Sequence, residues 1–242
     1  MKRLKFFLSH LSISLLIALL IMSLVFFIWY PAPLSQAVGV THIFLMLLVS
    51  DVIVGPILVL LVYKEGKKSL KFDLSIIILL QLSALIYGIY SIEQGRPAWI
   101  AFNIDRFELV RKNEIVDQNI NHVQPQFQQP SWLKPQFVAT VFAKDTNQRN
   151  KDMFAEVLGG ISIAQRPERY VNFIQAEEQI QQRVQKLELL QKFNNKTDVE
   201  KILAKYPQAT AFLPLKASAV DMTVLLDQNS NVIKIVDLRP WH

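Results

Sequence analysis

The chain contains no cysteine. No disulfide can brace it, no thiol can serve as a nucleophile, and no cysteine-based metal site can form. Histidine is scarce too: His10, His42, His122 and His242 are scattered without i,i+4 spacing, so no metal centre is indicated. The phosphate-cradling P-loop, the dinucleotide-binding GxGxxG and the nucleophile elbow GxSxG are all missing. The glycine pair at 159 and 160 is better explained as a helix stop. Asp105 with Glu108, or Asp221 with Asp227, are the nearest approaches to a catalytic carboxylate pair, and acids on strands and turns are ordinarily structural. No cofactor is expected, and the chain reads as non-enzymatic.

Charge is scarce in three long stretches. Of 242 residues 51% are hydrophobic, and they concentrate in blocks at 11–30, 38–63 and 72–92. A helix of about 20 residues spans the roughly 30 Å hydrocarbon core, so each block is long enough to cross a bilayer. The first could instead be a cleaved signal peptide, with MKRLKF as basic head and SQA at 35–37 as cleavage site. Its apolar stretch exceeds the usual roughly 7–15 residues, and the bulky WYPAP intervenes, so an uncleaved anchor is the better reading. The sequence divides into a three-span region, 1–92, and an α+β domain with an antiparallel sheet, 93–242.

Lysine and arginine near the span ends set the orientation. Lys2, Arg3 and Lys5 precede the first span, and Lys64, Lys67, Lys68 and Lys71 lie between the second and third, whereas PAPLSQA between the first and second is uncharged. The N-terminus is expected in the cytoplasm and the C-terminal domain outside. The net charge of +6 divides accordingly: +4 belongs to residues 1–92 and only +2 to the remainder. The basic balance records membrane topology, and nucleic-acid binding is rejected.

One ionisable residue breaks the second block. Asp51, in SDVIVGP, sits mid-span, where insertion scales put the cost of an acid at about 2.5–3.5 kcal/mol. It should face protein or a water-filled cavity. Gly55 lies one turn on, and Pro56 cannot donate the helical bond back to Val52, so a carbonyl near the aspartate should be freed. Gln81, mid-way along the third span, is expected at similar depth, its amide donating to the carboxylate. Ala84 and Gly88 form a small-xxx-small pair that permits close helix approach. Asp51 and Gln81 then serve as glue inside the bundle, or as a docking point for another protein's membrane helix together with Gly55, Pro56 and Gly88. A proton or ion relay is the weakest alternative for three spans.

Beyond the spans, residues 99–102 and 107–110 read as a hairpin turning at NIDR, followed by a Gln- and Pro-rich irregular loop at 119–136. A strand is expected at 137–143 and a short helix ending at the two glycines. The clearest helix is expected at 167–193, on a broken apolar stripe of Val171, Ile174, Val184, Leu187 and Leu190. TDVE should cap a further helix at 198–206. The final segment reads as a hairpin with Met222, Val224 and Leu226 inward and QNSN as the turn.

The basic N-terminus with three spans, SDVIVGPILVLLVYKEGKKSLKFDL leading into LLQLSALIYGIY, and then GRPAWIAFNIDRFELVRKNEI resemble the TfpX/TfpZ family of type IV pilin accessory proteins, over about residues 1–116. The resemblance implies a bacterial inner-membrane protein with a periplasmic domain. It implies a chaperone-like partner that binds the type IV pilin, through its transmembrane helix and its head, and supports stability, assembly or surface display. No catalytic residues are carried over. Two other readings stay open: a membrane-tethered sensor whose outer domain binds a small ligand, and a membrane enzyme that modifies the pilin.

Overall fold

The computed structural model describes residues 2–241, so His242 lies outside the described residues. The chain divides into two units: one runs to Ser35 and resumes at Val40–Gly95, and the other joins Gln36–Gly39 to everything from Arg96 onward.

The first unit consists of three helices long and apolar enough to cross a membrane, Lys2–Trp29, Val40–Val62 and Leu70–Gln94. They extend past the apolar blocks at some ends because good helix formers continue there: Lys2 to Ser9 before the first, Gln94 after the third. Leu16, Leu20, Phe27, Met46, Leu61, Leu79 and Ile86 point outward with more than half their surface exposed. Helices that are apolar on their outer as well as inner faces are built for lipid. The first helix closes in a π turn, Leu24–Trp29, and the buried Tyr30 hydroxyl donates to the Ile92 carbonyl at 2.6 Å. At the basic end Arg3 Nε donates to the Leu60 carbonyl at 2.6 Å, and Lys67 pairs with Asp73 at 2.7 Å.

The second unit is built on one sheet, eight strands among the described residues, in the order β4-β3-β1-β2-β6-β7-β8 with β5 on β6. The strands are β1 Pro97–Asn103, β2 Arg106–Arg111, β3 Gln136–Thr140, β4 Tyr170–Asn172, β5 Gln185–Lys186, β6 Ala211–Lys216, β7 Met222–Leu226 and β8 Val232–Val236. The β1–β2 hairpin turns where expected, with Ile104 in the left-handed region at φ 62°. The sheet is mixed and not wholly antiparallel: β1 pairs β3 in parallel, and so does β2 with β6. Both pairs are joined by long excursions of chain, which parallel pairing requires.

The longer helices that accompany the sheet are α1 Thr146–Gly159, α2 Glu177–Arg183 and α3 Lys196–Leu203, and a single helical turn forms at Pro125–Gln128. α1 begins at Asp145, whose side chain accepts the Gln148 N–H, and ends at Gly160 in the left-handed conformation, as the glycine pair implied. α3 is capped by Asn195 and not by the TDVE box, because Asn195 already accepts the Thr197 N–H. The long helix expected at 167–193 does not form. Its residues become β4, α2, β5 and three 3-10 turns, as Tyr170–Asn172 pairs with β3, Gln185 and Lys186 pair with β6, and Phe173 packs its ring on Phe107 and Phe137. Helix propensity is a weak prior against such pairing.

Two apolar clusters lie in the core. One gathers Trp99, Val110, Val138 and Tyr170 with Val123 and Phe127 from the segment expected to be an irregular loop; the other gathers Leu190, Val199, Phe212, Leu225 and Val236. Segment 119–136 is thus partly nailed down, and Trp132 and Leu133 remain exposed at its end. β7 is buried along its whole length, a central strand covered on both faces instead of the alternating one expected. The acids considered as catalytic pairs all have structural partners. Asp105 and Glu108 meet Arg106, Glu108 also accepts from Asn103, Asp221 accepts from Trp241 Nε1, and Asp227 closes a turn on Asn229 and Asn231.

Polar burial holds α1 in place. Its one fully buried side chain is Asp152, bonded by Arg169 Nε at 2.7 Å and Gln148 Nε2 at 3.0 Å, with Arg166 at 3.9 Å. Burial works to raise the Asp152 pKa, but the Arg169, Gln148 and Arg166 interactions outweigh it and hold the carboxyl below its ordinary value. A carboxyl depressed in the folded state contributes stability that is full above its unfolded value of about 3.9 and is lost as pH falls through the folded value. Asp152→Ala is expected to cost about 3–5 kcal/mol at pH 7, since it strands buried guanidinium groups. Thermal unfolding of the full chain in detergent should show that deficit shrinking below about pH 4.

Candidate functional site

The second apolar helix is α-helical over Val40–Leu48, π-helical over Val49–Val54 and α-helical again over Gly55–Val62. In the π turn the Gly55 N–H reaches five residues back to the Ser50 carbonyl. The Asp51 carbonyl would then look to residue 56, and Pro56 has no N–H. A free carbonyl is what the sequence implied at this point, and the structure shows what fills it. Gln81 Nε2 donates to the Asp51 main-chain oxygen at 3.3 Å. The expected bond from Gln81 to the Asp51 carboxylate is not made; the amide goes to the main-chain oxygen instead.

The carboxylate is left over. Asp51 is buried, and among the described residues both its side-chain oxygens are enclosed without a hydrogen-bond partner, as is Gln81 Oε1. Buried polar atoms are partnered in the great majority of cases, so two adjacent orphans point to a group that arrives from elsewhere. Beside them a cavity of about 210 Å³ opens among all three helices. Its wall is apolar, with Phe44 and Leu47 among the lining residues, apart from Asp51, Gln81 and two residues of the first helix, His10 and Ser14. Asp51 is the middle residue of Val40–Val62, so the cavity lies at mid-depth of the helices.

His10 and Ser14 escaped the sequence reading. Their spacing is the signal that could have found them: i and i+4 share one face of a helix, and here both are polar in an apolar run. His42, by contrast, is exposed, and so is His122 in the second unit.

Gly55, Pro56 and Gly88 have a different use from Asp51. A Cβ on Gly55 would overlap the Gln81 amide, and one on Gly88 would overlap the Leu47 side chain. Pro56 is buried. The two glycines let helices approach closely enough for Gln81 to reach the Asp51 carbonyl and for Leu47 to seat on the third helix. Ala84, the expected partner of Gly88 in that stripe, is exposed. The arrangement is therefore a packed seam of Gly55, Pro56, Gln81 and Gly88 beside a cavity that carries one unpartnered carboxylate.

A family model described as fimbrial assembly protein FimB matches residues 1–39. Over 239 residues the chain is 30% identical to the fimbrial assembly protein of Dichelobacter nodosus serogroup I, covering 95% of this chain and 92% of that relative. The serogroup E1 protein of the same organism matches over the same share at 30% identity. A third relative, from serogroups C1 and C2, is 37% identical over 109 residues, 44% of this chain. No solved structure matches the chain.

The seam makes a quantitative expectation. Gly55→Leu should destabilise the helices by about 1–3 kcal/mol through overpacking. Gln81→Leu, which orphans the Asp51 carbonyl, should cost about 1 kcal/mol. Ala84→Leu, on the exposed face, should change little. Unfolding of the full chain in mixed detergent micelles measures all three.

Proposed function

The chain belongs to the fimbrial assembly protein family, and from that premise we propose that it is a membrane-anchored accessory of type IV pilus assembly, of the TfpX/TfpZ kind, that binds the pilin subunit before it is built into the fibre. The protein sits in the bacterial inner membrane with its N-terminus in the cytoplasm and its sheet domain in the periplasm. The distribution of Lys2, Arg3, Lys5, Lys64, Lys67, Lys68 and Lys71 supports that orientation. It acts by contact and not by catalysis.

The observation that carries the reading is the unpartnered Asp51 carboxylate in the wall of an apolar, mid-depth cavity. A pilin waiting in the membrane has an apolar helix to be held and a head to be kept from wrong contacts. A donor on that helix would satisfy the Asp51 oxygens, and the apolar wall would take the side chains around it. Asp51 and Gln81 meet the guest, while Gly55, Pro56 and Gly88 keep the cavity in shape. The donor–acceptor bond would be worth about 1–2 kcal/mol in the membrane, enough to select a register without making release slow.

Asp51→Asn keeps the side chain's size and removes the charge. Cells carrying it should hold several-fold less pilin and fewer surface pili than the parent, while the variant itself accumulates normally by immunoblot. Unchanged pilin level and pilus number would refute docking at Asp51. Unchanged pili on deleting the whole gene would refute the accessory role.

A further inference from the structure

Helix α1 is inside out. Its buried side is the charged one, where Asp152 meets Arg169 and Arg166. On the opposite side Met153, Phe154, Val157 and Leu158 are 51%, 57%, 75% and 81% exposed. Residues 153 and 157, and 154 and 158, stack as i,i+4 pairs, so the four form one patch over the last two turns. Single exposed apolar residues need no explanation, but a contiguous patch on a helix that is pinned by a buried ion pair marks an interaction surface.

The fold says where the patch lies. β1 starts at Pro97, just past the third apolar helix, and runs to Asn103. β3 is parallel to β1, so Thr140 ends beside Asn103 and bonds the Phe102 carbonyl. Arg169, which holds Asp152, accepts the Val141 N–H and precedes Tyr170, the register partner of Thr140. α1 is therefore fastened to the end of the sheet where β1 and β3 finish. At that same end Ile104, Val141 and Phe142 are exposed and line a cavity of about 170 Å³.

The charges around the patch argue against a second copy of this chain. Lys144, Arg149 and Lys151 are exposed around the patch, against one part-exposed acid, Glu156, while Asp145 is used in capping and Asp152 is buried in its ion pairs. A self-complementary pair would bring two basic rims together, which costs energy. We propose that the outer face of α1, with the cavity at Ile104 and Phe142, docks the globular head of the fimbrial subunit at an apolar spot rimmed by carboxylates. This rests on the subunit-binding reading above. Segment 119–136 is less suited to such a contact, because its Val123 and Phe127 are committed to the core.

The test uses tagged full-length protein solubilised from membranes that also contain the subunit, with retained subunit measured by immunoblot. Val157→Asp with Leu158→Asp should lower retention about tenfold, and Lys151→Glu should lower it less. Both altered apolar positions are solvent-facing, so thermal unfolding should be unchanged; Val157→Gln with Leu158→Gln gives the same reading if the double aspartate fails to fold. Equal retention by parent and variant would overturn the α1 contact and leave subunit binding intact. No retention by the parent would overturn both. A self-association of the parent that the variant abolishes would make the occupant a second copy and overturn the proposal.

Discussion

In the hydrocarbon core every main-chain polar group needs a partner within the protein, and the Asp51 carbonyl has one only because Gln81 reaches it. The π turn and Pro56 withdraw the helix's own donors from that oxygen. Gly55 admits the Gln81 amide at a distance no side chain would allow. The rest of the apolar unit follows from this bond. It sets the separation of the second and third helices, and the first helix closes the remaining side with His10 and Ser14. The Asp51 carboxylate is not spent on the bundle: the Gln81 amide bonds the main chain of the same residue, and the side-chain oxygens stay unpartnered among the described residues.

The two units use polar burial in opposite ways. Around Asp152 the carboxylate is saturated by arginines and Gln148, which fixes α1 against the sheet and turns its apolar side outward. Around Asp51 the carboxylate is enclosed but unsaturated. A satisfied buried network rigidifies, whereas an incomplete one is a place where something else belongs. A protein whose family assembles fimbriae has use for both: a rigid surface on the sheet unit and an open acceptor among the apolar helices.

The features legible in the sequence were those set by local chemistry. Three apolar runs, the turn between Asn103 and Arg106, the helix stop at Gly160 and the hairpin around 228–231 are each written in consecutive residues. What was not legible depends on distant partners. Residues 167–193 have helical composition, yet strands β3 and β6 claim two pieces of them. β6 was not expected, and it carries Pro214, which is disfavoured inside a strand. It is tolerated because β5 pairs only with 211–212 and β2 only with 215–216, which leaves position 214 without a ladder partner on that side. The site was half legible. Asp51, Gly55 and Gln81 meet as their spacing suggested, but which atom of Asp51 receives the amide depends on the π turn, and the part played by His10 and Ser14 depends on how the first helix packs.

The central claim is that the cavity beside Asp51 receives the membrane helix of the pilin. A photo-crosslinking side chain at Leu48, which lines the cavity, tests it in the native cell, with Leu61 on the exposed face as the control and mass spectrometry to identify the adducts. The account predicts an adduct from Leu48 to the apolar helix of the pilin, reduced by Asp51→Asn and not formed from Leu61. Adducts from Leu48 confined to the protein's own third helix would contradict it and make Asp51 a structural residue of the bundle.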